Sequence, residues 1–190
     1  MVTEHRCFLA IDVEPSLIDK IVEVQKEFKQ TNNNVKYVEK ENLHFTVKFF
    51  GNISNNKINE IKDKVKNTLS KIIFEESESK LAIEGIGTFP NKNYMKVLWI
   101  GTEENKFLIN LQKELDLEFE KLGFKKEKNF KTHLTIGRIR NLKNKKEFKA
   151  KIEELENITI GKMNISKISL KKSELTPKGP IYSDIEIFNI

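Results

Sequence analysis

Two tetrapeptides constrain this chain more than any other feature. His44-Phe45-Thr46-Val47 and His133-Leu134-Thr135-Ile136 repeat one pattern, imidazole, apolar, hydroxyl, apolar, about half a chain apart. With threonine at about one residue in twenty, two of three histidines acquiring one at the second position by chance is roughly a one-in-a-hundred event. In a strand, successive side chains point to opposite faces. His44 and Thr46 therefore share one face while Phe45, Val47 and Phe49 share the other, and Leu134 and Ile136 repeat this beside His133 and Thr135. Each copy has an apolar face to bury and a chemical face to present.

Two such strands brought together in a duplicated fold would gather two imidazoles and two hydroxyls around one small volume. That set suits in-line displacement at phosphorus. One neutral imidazole takes a proton from the attacking hydroxyl or water, the other, as imidazolium, gives one to the leaving oxygen, and the threonine hydroxyls donate to non-bridging phosphate oxygens. A lone His-x-Thr is usually only a strand residue beside a β-branched one; duplication reverses that judgement. His5 has no threonine two positions on and reads as structural.

The chain of 190 residues fits one domain, 1–190, or two small lobes sharing a core. No apolar stretch is long enough to span a bilayer, and the N-terminus lacks a secretory pattern, so a cytoplasmic protein is expected. Cys7 has no intrachain partner, which removes disulfides and cysteine metal sites and makes it a core residue. The net charge of +6 says little alone. Between Lys125 and Lys151, however, eleven Lys or Arg face two Glu, and the remainder is slightly acidic. Such a segment either holds a polyanion's backbone without reading sequence or forms the solvated face of a helix.

Periodicity predicts eight strands and four helices. A first strand spans Arg6 to Asp12, and a helix beginning near Pro15 runs to about Lys29 with Ile18, Ile21, Val22, Val24 and Phe28 as its stripe. Val35 to Val38 and Leu43 to Phe49 are strands. Gly51 turns the chain into Ser54, an N-cap for a helix carrying Ile58, Ile61, Val65, Leu69 and Ile72. Strands at Ser79 to Ile86 and Tyr94 to Gly101 form a hairpin. A helix from Glu103 to Leu122 ends at Gly123. Thr132 to Ile139 carries the second motif, a Lys-rich helix covers Lys145 to Leu155, and strands lie near Ile160 to Leu170 and Tyr182 to Phe188, with a Pro177 to Pro180 loop between them. This imperfect duplication predicts an α+β fold in which two mainly antiparallel sheets flank a central cleft, with helices on the outer faces.

The paired motifs resemble the 2H phosphoesterase superfamily, and longer strings resemble its RNA 2',3'-cyclic phosphodiesterase, or 2'-5' RNA ligase, branch. Asn42 to Gly51 resembles the first motif block; Gly85-Ile86-Gly87-Thr88-Phe89-Pro90-Asn91 with Val97-Leu98-Trp99 resembles the central hairpin. Arg6 to Ile11, His133 to Arg138, Ser173-Glu174-Leu175 and Gly179 to Tyr182 also fit, so the likeness runs nearly end to end. One departure is Thr132, where the family often has proline before the second histidine.

The resemblance implies a pseudo-duplicated, bilobal 2H phosphoesterase fold. It implies a hydrolase, without metal or cofactor, that converts RNA 2',3'-cyclic phosphate ends to 2'-phosphate ends. His44 would be the proton donor, His133 the acceptor, and Thr46 and Thr135 the phosphate-binding hydroxyls. Residue chemistry alone leaves that polarity open, because the copies are nearly symmetric. By microscopic reversibility the same site implies 2'-5' ligation of two RNA ends as well. Partners would be RNA ends, tRNA fragments among them, with no membrane and no obligate protein partner. Lys48, which shares the parity of His44, is a candidate RNA contact, as are Arg138 and Arg140; Arg138 lies on the wrong parity for the cleft unless a bulge intervenes. Phe8 and Tyr182 are candidates to stack a base, with core the favoured fate of Phe8. The competing readings are an RNA-end binding module with little turnover, a 2H enzyme acting on 2'-5' oligonucleotides or small cyclic nucleotides, and a zinc hydrolase, which two well-separated histidines without ligand-spaced carboxylates disfavour.

Overall fold

The two motif strands lie side by side, each beginning its own half of one antiparallel sheet. The computed structural model describes residues 3–72, 79–177 and 179–190. In chain order its elements are β1 (Glu4–Asp12), α1 (Pro15–Lys29), β2 (Asn34–Tyr37), a single 3-10 turn (Lys40–Asn42), β3 (His44–Ser54), α2 (Asn55–Leu69), β4 (Lys80–Pro90), β5 (Met95–Thr102), α3 (Lys106–Lys121), β6 (Leu134–Asn141), α4 (Lys145–Glu154), β7 (Thr159–Asn164), β8 (Lys167–Leu175) and β9 (Pro180–Asn189). The strand order is β7-β4-β5-β6-β3-β1-β8-β9, with β2 also on β6, and every pairing is antiparallel.

The two expected sheets are thus the two halves of one curled sheet. Motif strands β3 and β6 meet at its centre through a single pair, Phe45 with Leu134. Beyond that point they diverge, and β2 takes the place beside β6, pairing Lys36 with Arg138 and Tyr37 with Gly137. The divergence opens the cleft.

The helices bury apolar stripes on the outer face, although in α1 it is Leu17 that joins the stripe while the predicted Ile18 and Val22 are half-buried. Leu17, Ile21, Val24 and Phe28 of α1 are buried, as are Ile58, Ile61 and Val65 of α2 and Leu108, Leu111 and Leu115 of α3. Ser54 caps α2 by accepting from the Lys57 N–H, and Gly123 takes the positive φ of 89° that ends α3. α1 and α4 pack together over the β6–β7 half, whereas α2 and α3 pack together over the β3–β9 half. Each half of the chain therefore covers part of the other half's sheet. Cys7 is fully buried, and burial pushes its thiol up to about 11. Among the described residues no helix is long and apolar enough to cross a membrane.

One predicted strand is two. The apolar run Ile160 to Leu170 breaks at Ile165 and Ser166; β7 pairs with β4 at one edge of the sheet and β8 with β1 near the other. Nine strands result among the described residues.

Candidate active site

Both histidines are held in the same way. The Nδ1 of His44 lies 2.8 Å from the carbonyl oxygen of Asn42, and that of His133 lies 2.8 Å from the carbonyl oxygen of Lys131, in each case two residues upstream. A carbonyl only accepts, so each Nδ1 carries the proton and donates it. Nε2 is left for the cleft. In His44 it faces the Thr46 Oγ1 at 3.2 Å, where a neutral ring accepts from the hydroxyl.

Each ring also sits in an aromatic frame. Phe8 and Tyr182 flank His44, with ring centroids 4.9 and 5.3 Å away. Phe89, edge-on at 4.9 Å, and Trp99 at 6.5 Å flank His133. Phe8 is buried, as its favoured reading predicted, yet it borders the cavity through its contact with the imidazole. Phe89 and Trp99 come from the β4–β5 hairpin, and sequence reasoning missed them. Gly87 stands opposite Trp99 in the ladder, and a Cβ there would overlap three atoms of the indole. Only glycine lets that ring lie flat across β4.

Charged groups stand close to His44. Burial lowers the His44 pKa below its usual 6.5; the hydrogen bond to Asn42 and the nearby Asp12 carboxylate oppose this, while Lys171 and His133 add to it. Lys171 is itself buried, 3.0 Å from Asp12 and 2.6 Å from Asp184. Burial works against its charge, but the hydrogen bonds to Asp184 and Asp12 prevail and raise its pKa. Neither Asp12 nor Lys171 belongs to a motif, and their role beside His44 had no sequence signal.

A single cavity of about 680 Å3 joins these parts. His44, Thr46, His133, Thr135, Arg138 and Tyr182 all line it, so the structure brings together both histidines, both threonines and the predicted Arg138 and Tyr182. Arg138 reaches it through a bulge. Leu98 pairs with Gly137 and Trp99 with Thr135, leaving Ile136 as an extra residue that resets parity. Arg140 is exposed on β6 but does not line the cavity.

Lys48 is a correction to the parity argument. Leu9 pairs with Lys48 and Ala10 with Thr46, so Val47 is an extra residue and Lys48 turns away from the cleft. It is buried in an ion pair with Asp116 and donates to the Lys125 carbonyl oxygen at 2.6 Å. The same bulge carries Phe49, expected in the core, into the cavity lining with about half its surface exposed. Among the described residues no group of three or more His, Cys, Asp or Glu is arranged to hold a metal.

An α+β sheet that folds two halves around paired histidines and threonines defines the two-histidine class of phosphoesterases. The family model described as LigT like Phosphoesterase matches the chain twice, over residues 11–99 and 100–182, each match taking one motif. The chain belongs to that family. It is 43% identical over 185 residues to the RNA 2',3'-cyclic phosphodiesterase of Methanothermobacter thermautotrophicus, covering 97% of this chain and 98% of the other. With the protein of the same name from Methanocaldococcus jannaschii it shares 41% over 181 residues, 95% of this chain and 98% of the other. Among solved structures a Thermus thermophilus protein superposes with a TM-score of 0.80 at 23% identity, 97% of each chain covered. E. coli LigT complexed with 3'-AMP gives 0.76 at 19% identity over 99% of each. Those two likenesses show the fold.

Proposed function

We propose that this chain hydrolyses RNA 2',3'-cyclic phosphate ends to 2'-phosphate ends without a metal. The observation that carries the reading is the pair of imidazoles, each tethered at Nδ1 by its own backbone carbonyl, lining one cavity with two threonine hydroxyls and an arginine. The high identity to proteins named for this reaction supports it. Thr46, Thr135 and Arg138 would hold the non-bridging oxygens. His133 Nε2 takes a proton from water as its oxygen bonds to phosphorus. The bond from phosphorus to O3' breaks, and imidazolium His44 gives its Nε2 proton to O3'. The product carries a 2'-phosphate and a free 3'-hydroxyl, and exchange with solvent resets both rings.

The polarity comes from the family likeness, and His44's lowered pKa makes its imidazolium scarce in the free protein. An anionic phosphate seated between the rings favours that charged form. With an RNA 5'-hydroxyl in the place of water, the same displacement forms a 2'-5' linkage. RNA fragments in the cytoplasm, tRNA halves among them, are the substrates assigned, with no obligate protein partner.

The test is an RNA oligonucleotide ending in 2',3'-cyclic phosphate, incubated in EDTA with wild type, His44→Ala and His133→Ala. Conversion to a 2'-phosphate by wild type alone is expected, identified by mass and phosphatase sensitivity. Bound but unconverted RNA would favour a binding module instead.

A further inference from the structure

The cavity continues past the groups used above, and its continuation carries exposed apolar side chains. Among the described residues six large apolar side chains are well exposed, and three of them, Phe49 at 49%, Leu175 at 73% and Ile181 at 57%, line this one cavity. Scattered exposed apolar groups mean nothing, but their convergence in a cavity marks a binding surface. Arg6 lines the same cavity and sets its guanidinium 4.5 Å from the centroid of the Phe49 ring. A ring with a cation on one face and exposed surface remaining is a stacking platform, and stacking needs no particular base.

Register separates this platform from the first aromatic station. Along β1, His44 pairs with Asp12, Thr46 with Ala10 and Phe49 with Phe8. At the rise of a strand, Phe49 is about 7 Å beyond Thr46 and about 13 Å beyond His44. Tyr182, by contrast, meets the His44 ring at 5.3 Å. A phosphate held by the histidines and threonines thus has the rings that frame the two imidazoles beside it and the exposed Phe49 ring farther along. Two stations in one cavity suit two bases.

We propose that Phe49, backed by Arg6 and sharing the cavity with Leu175 and Ile181, stacks the base of the nucleotide that precedes the cyclic end. This deepens the reading above and rests on it: the substrate class becomes an oligonucleotide end in preference to a lone nucleoside cyclic phosphate. Stacking on a ring face reads no donor or acceptor, so the subsite tolerates any base and weakens when the base is missing.

The test compares kcat/KM for a nucleoside 2',3'-cyclic phosphate, a dinucleotide with the same cyclic end, and that dinucleotide with its first residue abasic. Wild type is expected to favour the intact dinucleotide about tenfold over the mononucleotide, and the abasic version to lose that advantage. Phe49→Ala brings the ratio toward one; Phe49→Trp keeps it. Turnover of the mononucleotide with a ratio near one in wild type, or a full advantage retained by the abasic dinucleotide, would overturn the subsite alone. Turnover of none of the three would overturn the phosphodiesterase reading with it. The abasic comparison uses only wild-type protein, so the outcome does not hang on the variants folding.

Discussion

Phe49 and Arg138 hold equivalent positions, five residues after their respective histidines, and both face the cleft although strict alternation sends each to the core side. The cause is the same in both strands. An extra residue three places after the histidine, Val47 in β3 and Ile136 in β6, resets the parity just past the motif threonine. The duplicated bulge gives one lobe an aromatic platform and the other a cation at matching places. Residues four after the histidine differ in consequence: Lys48 reaches inward to Asp116, whereas Gly137 lets Val35 of β2 pack against the strand.

The carbonyl of the Ile136 bulge accepts from the Val38 N–H at 3.0 Å, and α1 adds a second donor to it. The Gln25 side chain is buried, and its Nε2 donates to the Ile136 carbonyl oxygen at 2.9 Å and to that of Val38 at 2.8 Å. Gln25→Leu therefore removes donors from two backbone groups while keeping the volume. It is expected to lower stability by about 1–3 kcal/mol, read from urea unfolding. Because Ile136 is the bulge that turns Arg138, kcat/KM on a cyclic-phosphate RNA is expected to fall as well; an unchanged kcat/KM would separate the bulge from catalysis.

The Lys48–Asp116 pair ties β3 to the segment before the second motif. Lys48 donates to the Lys125 carbonyl, and Asp116 accepts from the Glu127 N–H at 2.6 Å. Lys48→Ala leaves a carboxylate buried without its cation and is expected to cost about 3–5 kcal/mol. If Lys48 contacted RNA phosphate instead, the variant would reduce the slope of log affinity against log salt by about one. Burial on the far side of β3 predicts no change in that slope, measured on the folded fraction.

What the sequence revealed and what it concealed divide along physical lines. The His and Thr pairs, the helix stripes and the Ser54 cap are local, and each side chain's spacing or chemistry announces itself. Bulges at Val47 and Ile136 do not, because an apolar residue reads the same whether it keeps or breaks the ladder. Alternation taken across them sent Phe49 to the core and Lys48 to the cleft, the reverse of what is found. The break at Ile165 and Ser166 lacks Gly or Pro, and buried apolar residues continue on both sides. The frame of His133 depends on β5 pairing with β6, a contact across α3. Asp12 and Lys171 acquire their meaning from the pairing of β1 with β3 and β8 in the same way.

Gly87 offers a test of that frame with a built-in optical readout. Trp99 is the chain's only tryptophan, it lies opposite Gly87, and it borders His133. Gly87→Ala forces the indole to move, since a Cβ overlaps three of its atoms. Displacement of His133 by about 1 Å can cost about a hundredfold in rate. The expected outcome is a shift in Trp99 emission accompanied by a fall in kcat of at least about tenfold; an emission shift at full kcat would show that the indole does not position the imidazole.

The electrostatics of the site can be read at His44 itself. Burial, with Lys171 and His133, lowers its pKa, and Asp12 is among the groups resisting that shift. Asp12→Asn removes the carboxylate while Lys171 keeps Asp184, so the His44 pKa is expected to fall further below 6.5, followed by NMR titration of the ring carbons. The same depression acts on folding. Between the lowered pKa and 6.5 the unfolded chain binds a proton that the folded chain resists, so this term adds stability as pH rises through that window and withdraws it as pH falls. His44→Gln removes the titrating ring. The urea-derived stability of wild type should therefore drop more steeply than that of His44→Gln as pH is taken below 6.5. Parallel slopes, together with an Asp12→Asn titration unchanged from wild type, would mean that the imidazole is solvated and that its charge is free to follow bulk pH.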